Sequence, residues 1–117
     1  MPMLFSYGTL RQENVQRSTF GRALAGRTDQ LLGYELTMLA IDDRQVVALS
    51  GRTHHPIARF TGRVEDRIDG MVFEISADEL TSADAYEIAA YKRVSGDLAS
   101  GTSAWVYVDA RYAPAEA

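Results

Sequence analysis

The first apolar run, Met3-Leu4-Phe5, continues to Ser6 and breaks at Gly8 into polar residues. That pattern predicts a short strand ending in a glycine turn, a place where backbone amides can face a ligand. Glu13 to Phe20 predicts a short helix with only Val15 and Phe20 as apolar surface, stopped by Gly21. Ala23 to Leu39 reads as two strand-like pieces punctuated by Gly26 and Gly33. In the second, Tyr34, Leu36, Met38 and Ala40 alternate with Glu35, Thr37 and Leu39, the pattern of a half-buried strand. Asp42-Asp43-Arg44 predicts a turn and Val46 to Leu49 a returning strand. Gly51 to Asp69 has Gly51, Pro56, Gly62 and a charged run from Arg63, anchored only by Ile57, Phe60 and Val64. So long an irregular connection reads as a lid or binding loop.

Alternation resumes at Gly70, with Met71, Phe73 and Ile75 on one face and Val72 and Glu74 on the other. Ser76 and Glu79 have capping-box spacing, and Ile75 with Leu80 fits a hydrophobic staple. A helix is expected from Ala77 to about Ala90. Tyr91 to Ser95 and Ser103 to Val108 predict two further strands, a hairpin across Gly96 to Gly101, and residues 113–117 read as a frayed tail. With about six strands, a convincing helix and no internal repeat, the expectation is an α+β fold. Its sheet would be mixed and mostly antiparallel, closing into a small β-barrel with flanking helices.

Composition narrows the function more than the fold. At 117 residues the chain is expected to form a single domain over 1–117 with one core. It has no cysteine, which removes disulfides, thiolate metal sites and cysteine nucleophiles together. The net charge of −4 argues against nucleic acid as a partner. The arginines are interspersed with carboxylates and form no phosphate stripe. No basic-then-apolar leader opens the sequence, and its most apolar window, Leu31 to Ile41, is too short to cross a membrane. A cytoplasmic protein is expected, as monomer or homodimer.

One residue breaks the pattern. On the helix begun at Ser76, Leu80, Ala83, Ala90 and Tyr91 form one stripe, and Glu87 falls in the middle of it. A carboxylate there is costly unless it is paired, hydrogen-bonded or protonated. Desolvation would raise its pKa toward what a general base near neutral pH requires. The competing reading is an ion pair at the rim with Arg93 or Lys92. Tyr7, Tyr86, Tyr91 and Tyr107 sit where a polar tip can reach a cavity while the ring packs.

Tyr7-Gly8-Thr9-Leu10-Arg11 resembles the YG(S/T)L signature of the γ-glutamylcyclotransferase-like, or AIG2-like, family. Gly21-Arg22-Ala23-Leu24 with Leu32-Gly33-Tyr34, and Asp69 to Ile75, are similar to its next segments. Asp84-Ala85-Tyr86-Glu87 with Tyr91-Lys92-Arg93-Val94 looks like its D-x-Y-E…Y-x-R-V block, and Ala104 to Val108 like its closing strand. The likeness runs from about residue 3 to about residue 109, in the family's order. It implies a small barrel with a cavity between the Tyr7 to Leu10 loop and Glu87. It further implies a small-molecule γ-glutamyl substrate, cyclised to 5-oxoproline with release of an amine or amino acid. By the resemblance Glu87 is the acid/base. Tyr7, Gly8, Thr9 and Leu10 hold the substrate, Tyr91 and Tyr107 line the pocket, and no cofactor is used. The sequence departs from the family at Ile88, where glycine is common, and at Ala83, where leucine is common. Ile88 adds bulk beside Glu87 and bears on which substrate fits.

Other chemistries have weaker footing. His54-His55 cannot easily serve one metal together, and with no other Cys or His no metal site is expected. Ser6, Thr9 and Ser95 have no positioned histidine base. Trp105 reads as core or interface. Beside the enzyme stands the alternative of a non-catalytic binding module with the same anionic-ligand cavity, and beyond it a purely structural or oligomerisation domain.

Overall fold

The computed structural model describes residues 2–40, 54–87 and 91–112. Its strands are β1 (Met3–Ser6), β2 (Gly26–Leu32), β3 (Tyr34–Ala40), β4 (His54–Phe60), β5 (Arg67–Glu74), β6 (Tyr91–Asp97) and β7 (Ser103–Asp109). Its α-helices are α1 (Glu13–Phe20) and α2 (Ala77–Tyr86), with short 3₁₀ turns at Thr9–Arg11 and Ala110–Tyr112. β1 is the middle of a five-stranded sheet ordered β2-β5-β1-β7-β6, while β3 and β4 form a separate two-stranded sheet. β1 runs antiparallel to β5, with Leu4 opposite Phe73, and parallel to β7, with Leu4 opposite Trp105. The remaining pairs, β2–β5, β6–β7 and β3–β4, are antiparallel.

Side chains alternate across a strand, so β1 feeds two cores. Leu4 packs with Leu10, Val15, Phe73, Ile75, Leu80 and Ala83, the side covered by the helices. Phe5 packs with Leu31, Tyr34, Ala58, Val72 and Val106, the side covered by β3 and β4. Both side chains are almost wholly inaccessible. Gly70 permits β1 to lie so close to β5, since a Cβ there would stand 2.4 Å from the Ser6 carbonyl oxygen.

The helix signals produce the elements they predict. Gly21 ends α1 in the left-handed region at φ 76°. At α2 the Glu79 amide donates to Ser76 Oγ at 3.0 Å, and the Ser76 amide donates to Glu79 Oε1 at 2.8 Å. Arg22 grips the same Glu79 through Nε and a second nitrogen at 2.7 and 2.8 Å. These bonds hold the Glu79 carboxyl down at about 2 and fix the start of α2 to the loop after α1.

Four expectations need correction. Among the described residues the sheet does not close into the expected barrel. The five-stranded sheet curls until its edges meet at one bridge, Leu31 with Leu98, and the ladder goes no further. The segment expected as a lid contains a strand, β4, and β5 begins at Arg67 rather than Gly70. Pro56 suggested a loop, yet a strand whose other edge meets no ladder tolerates it. Helix α2 stops at Tyr86, not near Ala90. On β3 Tyr34 is deeply buried, whereas Leu36 and Met38 on the same face are exposed. The predicted turn at Asp42-Asp43-Arg44, the strand at Val46 to Leu49, Ile88, Ala90 and the tail at 113–117 lie outside the described residues. Among the described residues no helix is long and apolar enough to cross a membrane.

Candidate active site

Where the curl leaves its gap, tyrosine hydroxyls take the place of a ladder. The Ala58 amide of β4 donates to the Tyr7 hydroxyl at 3.0 Å, and that hydroxyl donates to the Tyr107 carbonyl of β7. The Tyr91 hydroxyl donates to the Pro56 carbonyl at 3.0 Å. Pro56 has no amide to offer a neighbouring strand, so this edge of β4 stays parted from the main sheet. The parting is a narrow cleft with an open mouth. Burial pushes the Tyr7 and Tyr91 phenols above their ordinary range, and with Tyr91 the nearby Glu87 charge adds to the effect.

The structure brings together every residue that the sequence proposed for a site. Tyr7, Gly8, Thr9 and Leu10 form one wall, and Glu87, Tyr91 and Tyr107 line the rest with Phe5, Ser6 and Pro56. Phe5 and Ser6 are the inner end of β1, readable from the sequence as the entrance to the loop. Pro56 was hidden because its strand resembled irregular chain.

The Tyr7 to Leu10 wall is backbone-rich. Beyond Ser6 the chain turns through Gly8 into the 3₁₀ turn, whose carbonyls accept from Arg11 and Gln12 at 3.2 and 2.9 Å. The Gly8 amide reaches Ser6 Oγ at 3.3 Å. The Thr9 and Leu10 amides have no partner among the described residues. The Thr9 hydroxyl lies 2.7 Å from that of Tyr86, the residue before Glu87.

Glu87 reaches the cleft by a route that helical periodicity did not anticipate. It caps α2 in extended geometry, φ −74° and ψ 141°, while its amide still donates to Ala83 O at 3.1 Å. The chain leaves the helix at this residue, so Glu87 lines the cleft instead of sitting within a helical stripe. Arg93, offered as its ion-pair partner, pairs with Asp84 at 3.1 Å. Among the described residues no hydrogen bond or salt bridge holds the Glu87 carboxylate. Desolvation without compensation pushes its pKa up to about 8.

The three tyrosines expected to touch substrate have committed hydroxyls. The Tyr107 hydroxyl donates to Asp84 Oδ1 at 2.8 Å, and burial with the Asp84 bond pushes its pKa far up. Their rings shape the cleft, and the backbone of the loop and Glu87 are left to meet a polar ligand. Asp109, unremarked in the sequence, is buried behind Tyr91, its register partner. Arg111 holds it with three hydrogen bonds of 2.8–3.1 Å, which keep its pKa below the usual carboxylate range. Trp105 lies at the surface with the Arg93 guanidinium 4.6 Å over its ring. Nothing is described of the His54 and His55 side chains.

A family model described as "Gamma-glutamyl cyclotransferase, AIG2-like" matches residues 4–116. No curated protein matches the chain. Among solved structures, a solution structure from Arabidopsis thaliana is similar with a TM-score of 0.74 and 18% identity, covering 97% of this chain and 64% of that one. This chain thus spans less than two-thirds of that protein's length. A second Arabidopsis thaliana protein matches with a TM-score of 0.70 and 18% identity, over 97% and 71% of the two chains. An uncharacterized protein from Pyrococcus horikoshii matches with a TM-score of 0.62 and 19% identity, over 93% and 78%. At these identities the structural likeness establishes the fold.

Proposed function

The chain belongs to the γ-glutamyl cyclotransferase, AIG2-like family, and we propose that it cyclises a small γ-glutamyl compound, with Glu87 as general acid/base. The observation that carries this reading is the position of Glu87. A carboxyl with no partner among the described residues, pushed up to about pKa 8, lines the same cleft as the Tyr7 to Leu10 backbone.

The chemistry suits such a sparse site. The nucleophile is the substrate's own α-amine, so the protein need supply no serine or cysteine. The Glu87 carboxylate removes a proton from the α-ammonium, and the freed amine attacks the γ-carbonyl carbon to form the C–N bond of a five-membered ring. The carbonyl oxygen gains negative charge, which the Thr9 and Leu10 amides are suited to meet. The tetrahedral adduct then expels the original amide nitrogen, which takes the proton from Glu87 as it leaves. The ring nitrogen sheds its second proton as the lactam forms, and the departing amine carries it off, so the products are 5-oxoproline and the amine as its ammonium, and the carboxylate is restored. Holding the chain folded into attack geometry supplies much of the rate. A proton-transfer group contributes ~10²–10⁴-fold. The reaction draws on no metal or organic cofactor, and the protein works within the cytoplasm in this reading.

The test is direct. Incubated with a panel of γ-glutamyl amines and peptides, the protein is expected to release 5-oxoproline and free amine in equal amounts. Tight binding across the panel with no product would leave a ligand-binding module instead.

A further inference from the structure

The Glu87 carboxyl has no bond of its own among the described residues, so its place is set by the helix that delivers it. The Glu87 amide donates to Ala83 O at 3.1 Å, which fastens the residue to the last turn of α2. That turn is held at two side chains. Tyr86 meets the Thr9 hydroxyl on the loop after β1. Asp84 meets the sheet instead. Its Oδ1 accepts from the Tyr107 hydroxyl of β7 at 2.8 Å and pairs with Arg93 Nε of β6 at 3.1 Å. Tyr107 is a firm anchor, because its carbonyl also accepts from the buried Tyr7 hydroxyl. Arg93 is fixed in turn over the Trp105 ring, 4.6 Å from its centre.

We propose that Asp84 is a positioning residue for Glu87. It clamps the last turn of α2 onto β6 and β7, so that the chain leaves the helix over the cleft and not over solvent. The inference goes beyond the assignment of Glu87 and rests on the γ-glutamyl reading only for the kinetic readout below. The Asp84 and Arg93 side chains are 41% and 30% exposed, and so open a pair adds little to stability. Placement is where the clamp matters, since a shift of ~1 Å at a reacting group can cost about 10²-fold in rate. Asp84 does not line the cleft and acts through Glu87.

The experiment compares Asp84→Ala and Asp84→Asn with the parent protein. Asparagine keeps an acceptor oxygen for the Tyr107 hydroxyl, and both variants remove the charge. kcat and KM are read from 5-oxoproline release, at a temperature where urea unfolding shows each variant folded. Asp84→Ala should lower kcat by up to about 10²-fold with KM unchanged, and Asp84→Asn should recover most of that loss. The second readout needs no turnover, a carbon NMR titration of the Glu87 carboxyl. Its midpoint, about 8 in the parent, should fall toward 4.5 in Asp84→Ala as the carboxyl gains solvent, and stay near 8 in Asp84→Asn. The phenols nearest it, Tyr7, Tyr86, Tyr91 and Tyr107, are all pushed above their ordinary value, chiefly by burial, so a midpoint near 8 belongs to the carboxyl. A parent protein that releases no 5-oxoproline overturns the cyclisation, and the titration then decides the role of Asp84. A midpoint unmoved in Asp84→Ala overturns the proposal. Equal falls in both variants also overturn it, because the charge of Asp84 and not its grip would then be what acts. So does a rate loss that only tracks the unfolded fraction.

Discussion

The Thr9 and Tyr86 hydroxyls lie 2.7 Å apart, and through them the loop after β1 is tied to the end of α2. The residue after Tyr86 is Glu87. One side-chain bond between positions 77 residues apart therefore sets the spacing between the backbone wall and the carboxyl. Thr9→Val and Tyr86→Phe should each cost about 1 kcal/mol in urea unfolding. The double variant should lose little more than either single one, because both remove the same bond. Additive losses would place the hydroxyls in separate interactions.

The Tyr7 hydroxyl stands between the Ala58 amide and the Tyr107 carbonyl, both buried. Tyr7→Phe strands a donor and an acceptor at once. The expected loss is roughly 2–6 kcal/mol, from ~1–3 per unsatisfied group. The Ala58 amide should also exchange with solvent hydrogen far faster, which is readable residue by residue.

Much of this arrangement is legible in the residues, but not all of it for the reasons first apparent. Ser76 and Glu79 announce the start of α2 because a capping box is a local device. Its end is not announced. Glu87-Ile88-Ala89-Ala90 contains no glycine or proline, so periodicity carries the helix past the point where Glu87 turns extended. Glu87 lines the cleft because the chain departs from the helix there, a tertiary outcome that a helical wheel cannot represent. Pro56 hid β4 for a related reason. Proline argues against a strand in general, yet here its missing amide suits an edge that bonds through tyrosine hydroxyls. Which tyrosine reaches which carbonyl depends on how the sheets meet, and no short-range pattern records it.

The Glu87 carboxyl also sets a pH dependence of stability. Its pKa rises from the ordinary 4.5 to about 8 on folding, so the folded state binds the extra proton between those values. Its contribution to stability is therefore full below about pH 4.5 and is lost as pH rises through about 8. Between those two values the loss runs at up to ~1.4 kcal/mol for each step of one in pH. Thermal melts of the parent protein should decline from pH 5 to pH 8, and Glu87→Gln should flatten that decline. An equal decline in the variant would assign it to other groups.

Catalysis should run the opposite way over the same range. In the proposed reaction the free carboxylate is the form that accepts the α-ammonium proton, so kcat/KM should climb with pH to an apparent pKa near 8. A falling limb should follow where the substrate's own amine loses its proton. A profile already flat at pH 6 would mean that the acting group titrates elsewhere.

The most direct measurement is 5-oxoproline formation by Glu87→Gln, with ligand affinity measured on the same preparation. The carboxamide matches the carboxyl in size and cannot carry the proton. Turnover should drop by ~10²–10⁴-fold with binding retained. Cyclisation at the parent rate by that variant would contradict the assignment of Glu87.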